Sequence, residues 1–176
     1  MNQQITSGII LARTNYGEAD KIVTLLTPDQ GKLRLIAKGV RRIKSRLAGG
    51  VELFSISRLT YIKGRSEIGT LVSARLEEHF GNIVKDIDRT MLGYELIKQL
   101  DRNTEDEPES DYFELLLQTF QALNDDEISI AVIRLWFFMQ LLRLSGHSPN
   151  LHTDTAGTRL AADQTYEFDF DAMSFY

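Results

Sequence analysis

The chain contains no cysteine. That one absence removes disulfides, thiolate zinc sites and cysteine nucleophiles together, and it fits a reducing compartment, so a cytoplasmic location is expected. Histidine is scarce: His79, His147 and His152 are the whole supply, with no His-Glu-x-x-His zinc motif and no Gly-x-x-x-x-Gly-Lys-Ser/Thr phosphate loop. No uncharged apolar run approaches the roughly eighteen residues of a membrane span, and the opening MNQQITSGII lacks the basic start and apolar stretch of a secretory leader. Ser145 and His147 flank Gly146, where a helix end explains them better than nucleophilic catalysis. The pairs Asp86/Asp88 and Asp169/Asp171 read as solvated edges rather than Mg²⁺ ligands. No catalytic residue is assigned, and no enzyme activity is expected.

What is present is a 176-residue chain, 43% apolar, long enough to bury a core as one domain or two small ones. Its formal net charge of −5 hides a segregation. Residues 1–75 hold 13 Lys+Arg against 5 Asp+Glu, a balance of +8, whereas residues 76–176 hold 7 against 20, a balance of −13. A basic half joined to an acidic half suggests a polyanion-binding module attached to one that must not bind the same polyanion; self-solubilisation of each half is the plainer alternative.

The basic half reads as β structure. Ile5, Ile9 and Leu11 share one face of a first strand, with Thr6 and Ile10 on the other, and Lys21-Ile-Val-Thr-Leu-Leu26 is rich in β-branched residues. Pro28 and Gly31 supply a reversal into Lys32-Leu-Arg-Leu-Ile-Ala-Lys38, where Leu33, Leu35 and Ala37 alternate with Arg34, Ile36 and Lys38. Residues 51–62 form another β run, and the turn Lys63-Gly-Arg-Ser66 leads into a last one over 67–76. Five strands in about 75 residues match an OB-fold barrel, a small SH3-like barrel remaining open.

After His79 the period changes. Phe80, Ile83, Val84, Ile87, Met91, Tyr94, Ile97 and Leu100 follow the three-four spacing of one helical face. Residues 103–110 read as a loop with Ser110 capping a second helix through Leu123. Residues 128–144 are too apolar to lie on a surface and predict a central third helix ended by Gly146. The chain is therefore expected to be α+β: a five-stranded barrel domain over 1–78, an all-α domain over 79–150, and a polar tail over 151–176 whose alternating segment 166–171 has no evident partner.

The most informative stretch is Lys38-Gly-Val-Arg-Arg-Ile-Lys-Ser-Arg46. It holds Lys38, Arg41, Arg42, Lys44 and Arg46 without one carboxylate, as phosphates require, and glycines 39, 49 and 50 would let the backbone approach a nucleic-acid strand. Lys32, Arg34, Arg58, Lys63 and Arg65 extend the field. Phe54 and Tyr61 are candidates for base stacking, although rings at strand spacing are more often core.

Tyr16-Gly-Glu-Ala-Asp-Lys-Ile-Val-Thr-Leu-Leu26, Gly31-Lys-Leu-Arg34, Ala37-Lys-Gly-Val-Arg-Arg42, Lys44-Ser45 and Glu52-Leu-Phe54, in this order, resemble the amino-terminal half of the RecO family of recombination mediators. The resemblance is strongest over residues 8–80 and extends in layout to Pro149-Asn-Leu151. It implies an OB-fold and a helical domain, binding of single- and double-stranded DNA, annealing of complementary strands, and help in loading recombinase onto strands coated with single-strand-binding protein, with RecR as a further partner. Many relatives carry a four-cysteine zinc module whose first pair would fall near Thr153 and Ala156. Neither is a ligand, and His152 with Asp154 makes no tetrahedral set, so no metal and no other cofactor is expected. The chain stops at Tyr176, short of the further helices of relatives, and is read as a shortened chain or a reduced member.

The acidic, ring-ended tail of single-strand-binding protein would need an apolar pocket beside a cation. Arg89, Lys98, Arg134 and Arg143 are available, and Arg134 and Arg143 on the most apolar helix are preferred. A protein-interaction adaptor and an RNA-binding barrel are the competing readings, since a fold does not fix a function.

Overall fold

The computed structural model describes residues 3–64, 67–104, 110–169 and 171–176. Its amino-terminal part is a closed five-stranded barrel of β1 (Gln3–Tyr16), β2 (Asp20–Thr27), β3 (Gly31–Ala37), β4 (Ser55–Ile62) and β5 (Ile68–His79), ordered β1-β2-β3-β5-β4. The long β1 makes closure possible: its first half pairs with β4 from Gln3↔Ile62 to Ile9↔Ile56, and its second half with β2 from Ile9↔Leu26 to Tyr16↔Asp20. The parallel pair β3–β5 completes the ring, as an OB-fold requires, and rules out the SH3-like alternative.

A register shift against β2 between Ile10 and Ala12 leaves intact the alternation expected of β1 from Ile9 to Leu11. Ile9, Ile10 and Leu11 are all buried, Ile10 inside the barrel and its two neighbours toward the helices, while Ile5 is exposed. The run expected over 51–62 is shorter as a strand. A 3-10 turn at Ala48–Gly50 precedes it, and Phe54 takes the left-handed φ of 54°, which breaks extended structure just before β4.

Phe54 explains how barrel and helices join. Left-handed backbone at a non-glycine residue costs about 1–2 kcal/mol, but a buried aromatic ring returns about 1.5–3 kcal/mol, and the ring is 1% exposed. It lies 5.3 Å from Tyr94 and 5.5 Å from Phe120, while its carbonyl accepts the Phe80 N–H at 3.0 Å. Gly93 makes room, because a Cβ there would fall 2.5 Å from the ring. Ile9, Leu11, Leu26 and Ile56 of the barrel share this core with the helices. Val23, Leu25, Leu35, Leu59 and Leu71 fill a second core inside the barrel.

Helix α1 (Ile87–Asn103) starts later than its periodicity suggests, because Phe80 leads into a 3-10 turn at Ile83–Lys85 and Asp86 then caps the helix by accepting the N–H groups of Asp88 and Arg89. Its buried face carries Arg89, Leu92, Gly93, Leu96, Ile97 and Leu100, so Ile87, Met91 and Tyr94 stay exposed against expectation. Helix α2 (Ser110–Asn124) buries Leu115, Leu116, Phe120 and Leu123; the Ser110 side chain and residues 105–109 fall outside the described residues. This helix, not the third, is central. Helix α3 (Ile130–Leu144) buries Ile133, Phe137 and Leu141 and exposes Val132 and Leu135. Its end is a turn, with Gly146 at φ 79° and the His147 N–H on the Leu142 carbonyl, the geometry of a helix stop. Among the described residues no helix is long and apolar enough to cross a membrane.

The tail segment expected to lack a partner has one. β6 (Asn150–Asp154), β7 (Phe168–Asp169) and β8 (Ser174–Phe175) form a small sheet in the order β6-β8-β7, with the Phe168 and Phe175 rings 5.0 Å apart.

Arg89 is buried rather than available to a partner. Its guanidinium donates to the Leu123, Asp126 and Ile128 carbonyls at 3.0, 3.0 and 2.8 Å, which satisfies the end of α2 and the connection to α3. Arg89→Met would leave those carbonyls without their donor, and we expect a loss of about 3 kcal/mol in urea unfolding. A loss below about 1 kcal/mol would mean that water replaces the guanidinium.

Candidate nucleic-acid interface

The loop joining β3 to the 3-10 turn leaves the barrel beside the β1–β2 turn and is fastened to it. The Gly39 N–H donates to the Asp20 carboxylate at 2.7 Å, the Arg41 N–H to the Ala19 carbonyl at 3.0 Å, and the Arg41 side chain to the Gly17 carbonyl at 3.4 Å. Val40 and Val51 anchor both ends in the barrel core. Between them Arg41, Arg42, Lys44 and Arg46 are exposed, as is Lys38 just before. Among the described residues none of these five cations pairs with a carboxylate.

The remaining expected cations divide. Arg34, on the outer side of β3, is half-exposed and 4.0 Å from Glu67; its register partner Ile68 follows the β4–β5 turn. A basic track therefore runs along β3 through Arg34 to Lys38 and onto the loop. Lys63 is exposed beyond the end of β4, and Arg65 lies outside the described residues. Arg58 is exposed on β4, directly opposite Arg75 of β5. Arg75 was not anticipated, because only the strand register reveals that it stands beside another cation. Lys32 leaves the set: its side chain is 10% exposed and its ammonium donates to the carbonyl and carboxylate of Asp101 at 2.7 and 3.1 Å. It holds the end of α1 against the barrel.

Neither candidate stacking ring is available. Phe54 belongs to the shared core, and Tyr61 is 2% exposed within the barrel, where burial and then the charge of Asp29 raise its phenol above the ordinary value. Alternation on β4 turns Leu59 and Tyr61 inward and Arg58 outward. Gly50 also has an internal reason to be glycine, since a Cβ would meet Ala74 of β5 at 2.5 Å.

The cations considered for a partner tail do not converge. Arg134 lines an open groove between α1 and α3 with Met91, Tyr94, Lys98, Arg102 and Ile130, and pairs with Glu95 at 2.9 Å. Arg143, nine residues on and thus on the opposite face, lines another hollow beside Trp136 and Gln140.

At the tail, the Asp154 carboxylate accepts the N–H groups of Ala156 and Thr158 at 2.9 and 2.7 Å, and the Thr153 hydroxyl accepts from Asn150 at 2.7 Å. Ala156 has no donor atom, so this turn does not fit a zinc ion. Among the described residues no group of three or more His, Asp or Glu could hold a metal.

The structure defines the class of OB-fold proteins in which the barrel shares a core with helices, here with an exposed cationic loop that no carboxylate pairs among the described residues. The family model described as "Recombination protein O N terminal" matches residues 1–80, and "Recombination protein O C terminal" matches residues 84–173. The chain belongs to the RecO family. It is 34% identical over 149 residues to "DNA repair protein RecO" of Desulfatibacillum aliphaticivorans, covering 83% of this chain and 58% of that protein. The protein of that name from a Roseiflexus species is 34% identical over 164 residues, 93% of this chain and 57% of its own. That of Listeria monocytogenes serotype 4b is 30% identical over 168 residues, 95% and 64%. The chain thus spans about three-fifths of the length of the curated relatives it matches.

Two substitutions check the assignment of the rings. Tyr61→Phe should leave DNA affinity unchanged. Phe54→Ala should cost about 3–5 kcal/mol in denaturant unfolding. An affinity loss for Tyr61→Phe with unaltered stability would return the ring to the interface.

Proposed function

We propose that this chain is the DNA-binding part of a non-catalytic recombination mediator in DNA repair. The observation that carries this reading is the loop of Lys38, Arg41, Arg42, Lys44 and Arg46, exposed, without carboxylate partners among the described residues and pinned to the β1–β2 turn of an OB-fold. OB-folds commonly meet oligonucleotides through that turn, the β4–β5 turn and the β2–β3 face, and the basic track runs along β3 to the loop pinned at the first of these. Membership of a family whose curated members are named DNA repair proteins supports the same reading.

The mechanism is electrostatic. Each bound phosphate releases condensed counterions, so affinity is expected for single and double strands of any sequence and falls steeply with salt. Cations shared between two complementary strands lower their mutual repulsion and favour annealing. A strand held this way beside a coat of single-strand-binding protein offers an entry point for recombinase. Contact with RecR rests on family membership alone.

The groove of Met91, Tyr94, Lys98, Ile130 and Arg134 is the proposed receptor for the tail of single-strand-binding protein, because it combines apolar walls with cations that an acidic, ring-ended peptide needs. Arg143 is set aside, since it faces away. In fluorescence titration of a labelled tail peptide, Arg134→Ala should weaken binding by about 3- to 10-fold and Arg143→Ala should not. The reverse result would move the receptor to the hollow beside Trp136.

Charge reversal of Arg41, Arg42 and Lys44 to Glu tests the DNA surface. We expect weaker binding to all DNA sequences alike, with the slope of log K against log salt flattened by roughly 0.7 per lost contact on single strands. An unchanged slope places the DNA elsewhere. Equal-length RNA as competitor separates a DNA mediator from an RNA-binding barrel.

A further inference from the structure

The cationic loop carries one apolar side chain that the fold does not use. Val40 and Val51 are buried in the barrel, and Leu47 and Ala48 pack against the same core. Ile43 is fully exposed, more so than any other large apolar residue among those described. It stands between Arg42 and Lys44, with Arg41 one residue and Arg46 two residues further out.

The backbone beneath it is held by two successive turns. The Arg42 N–H donates to the Gly39 carbonyl at 3.1 Å, and the Ser45 N–H to the Arg42 carbonyl at 2.9 Å, so Ile43 occupies the apex of the second turn. The Ser45 hydroxyl accepts the Leu47 N–H at 3.3 Å and closes the base. A branched aliphatic group is thus presented to solvent on ordered backbone, ringed by cations. In the free protein it gains nothing there, because exposed apolar surface is unfavourable in water.

We propose that Ile43 is a base-contacting wedge: when the flanking cations hold phosphates, its side chain packs on the face of an unstacked base. This rests on the DNA-binding reading and adds to it a preference among DNA forms. In a duplex the bases are already stacked, and prising a step open costs more than one aliphatic side chain returns. On a single strand, or at an unpaired junction, the base face is already in water and its burial against Ile43 is favourable. Ile43 therefore supplies discrimination for single strands that the cations alone do not provide.

The test uses the full chain, with Ile43→Ser and Ile43→Trp beside the parent. Neither change touches packed structure. The probes are a single strand containing 2-aminopurine, whose emission reports base unstacking, a hairpin duplex of the same length, and phosphatidylglycerol vesicles. The expected result for Ile43→Ser is single-strand affinity lowered by about 5- to 20-fold, duplex affinity changed by less than about twofold, an unaltered salt slope, and loss of the 2-aminopurine response; Ile43→Trp restores affinity and response. If Ile43→Ser matches the parent on single strands while the triple charge reversal abolishes binding, the wedge is refuted and the DNA surface stands. If the parent binds no DNA, the underlying reading fails instead. Dependence on Ile43 for vesicles but not oligonucleotides would make it a membrane contact and overturn the inference.

Discussion

The arrangement of this molecule depends on one aromatic ring placed between two kinds of structure. Phe54 ends the loop that carries the cations, begins the strand that closes the barrel, and fills the space left by Gly93 on α1. Its unfavourable backbone conformation is tolerated because the ring is buried in the core that barrel and helices share, against Phe120 and Tyr94. Since Ile9, Leu11, Leu26 and Ile56 join the same cluster, barrel and helices cannot separate without exposing a continuous apolar seam. The positions of the basic loop and of the α1–α3 groove are therefore fixed relative to one another by packing.

Lys32 and Arg89 show how cations are divided between fold and surface. Both are spent on carbonyl groups at helix ends, where buried acceptors need donors, and both are covered. Of the loop cations, only Arg41 reaches a carbonyl, the exposed one of Gly17 at 3.4 Å, and among the described residues none is buried against a helix end. Their mutual repulsion is moderate because each head group is in water, and it is relieved only when an external anion arrives.

The sequence displayed the barrel well because β-branched alternation and the Pro28–Gly31 reversal are local signals. It was less informative where tertiary choice decides. The stripe Ile87, Met91, Tyr94 has good helical spacing, yet the face buried instead holds Arg89 and Gly93, selected by carbonyls of α2 and by the Phe54 ring, which no local pattern encodes. Likewise α3 is apolar enough to be central, but α2 sits between it and the barrel; α3's apolar outer residues remain uncovered among the described residues. The tail strand lacked a visible partner because β7 and the β8 it pairs with are two residues each, shorter than any periodicity can register. Of the candidate site, the loop cations were legible from composition, since nine residues without a carboxylate stand out. Arg75, and the loss of Lys32 and of the two rings, depend on register and burial.

The segregation of charge has a consequence at distances where no contact exists. With +8 in the first 75 residues and −13 in the remainder, the protein is a large electric dipole. In the field of a polyanion such a dipole experiences a torque as well as a net force, and the torque turns the barrel toward the strand while the acidic helices are pushed away. Orientation of this kind opposes the overall repulsion that a net charge of −5 would otherwise produce. Added salt screens both the torque and the force, so the orienting effect is confined to separations of about a Debye length, roughly 8 Å at physiological ionic strength.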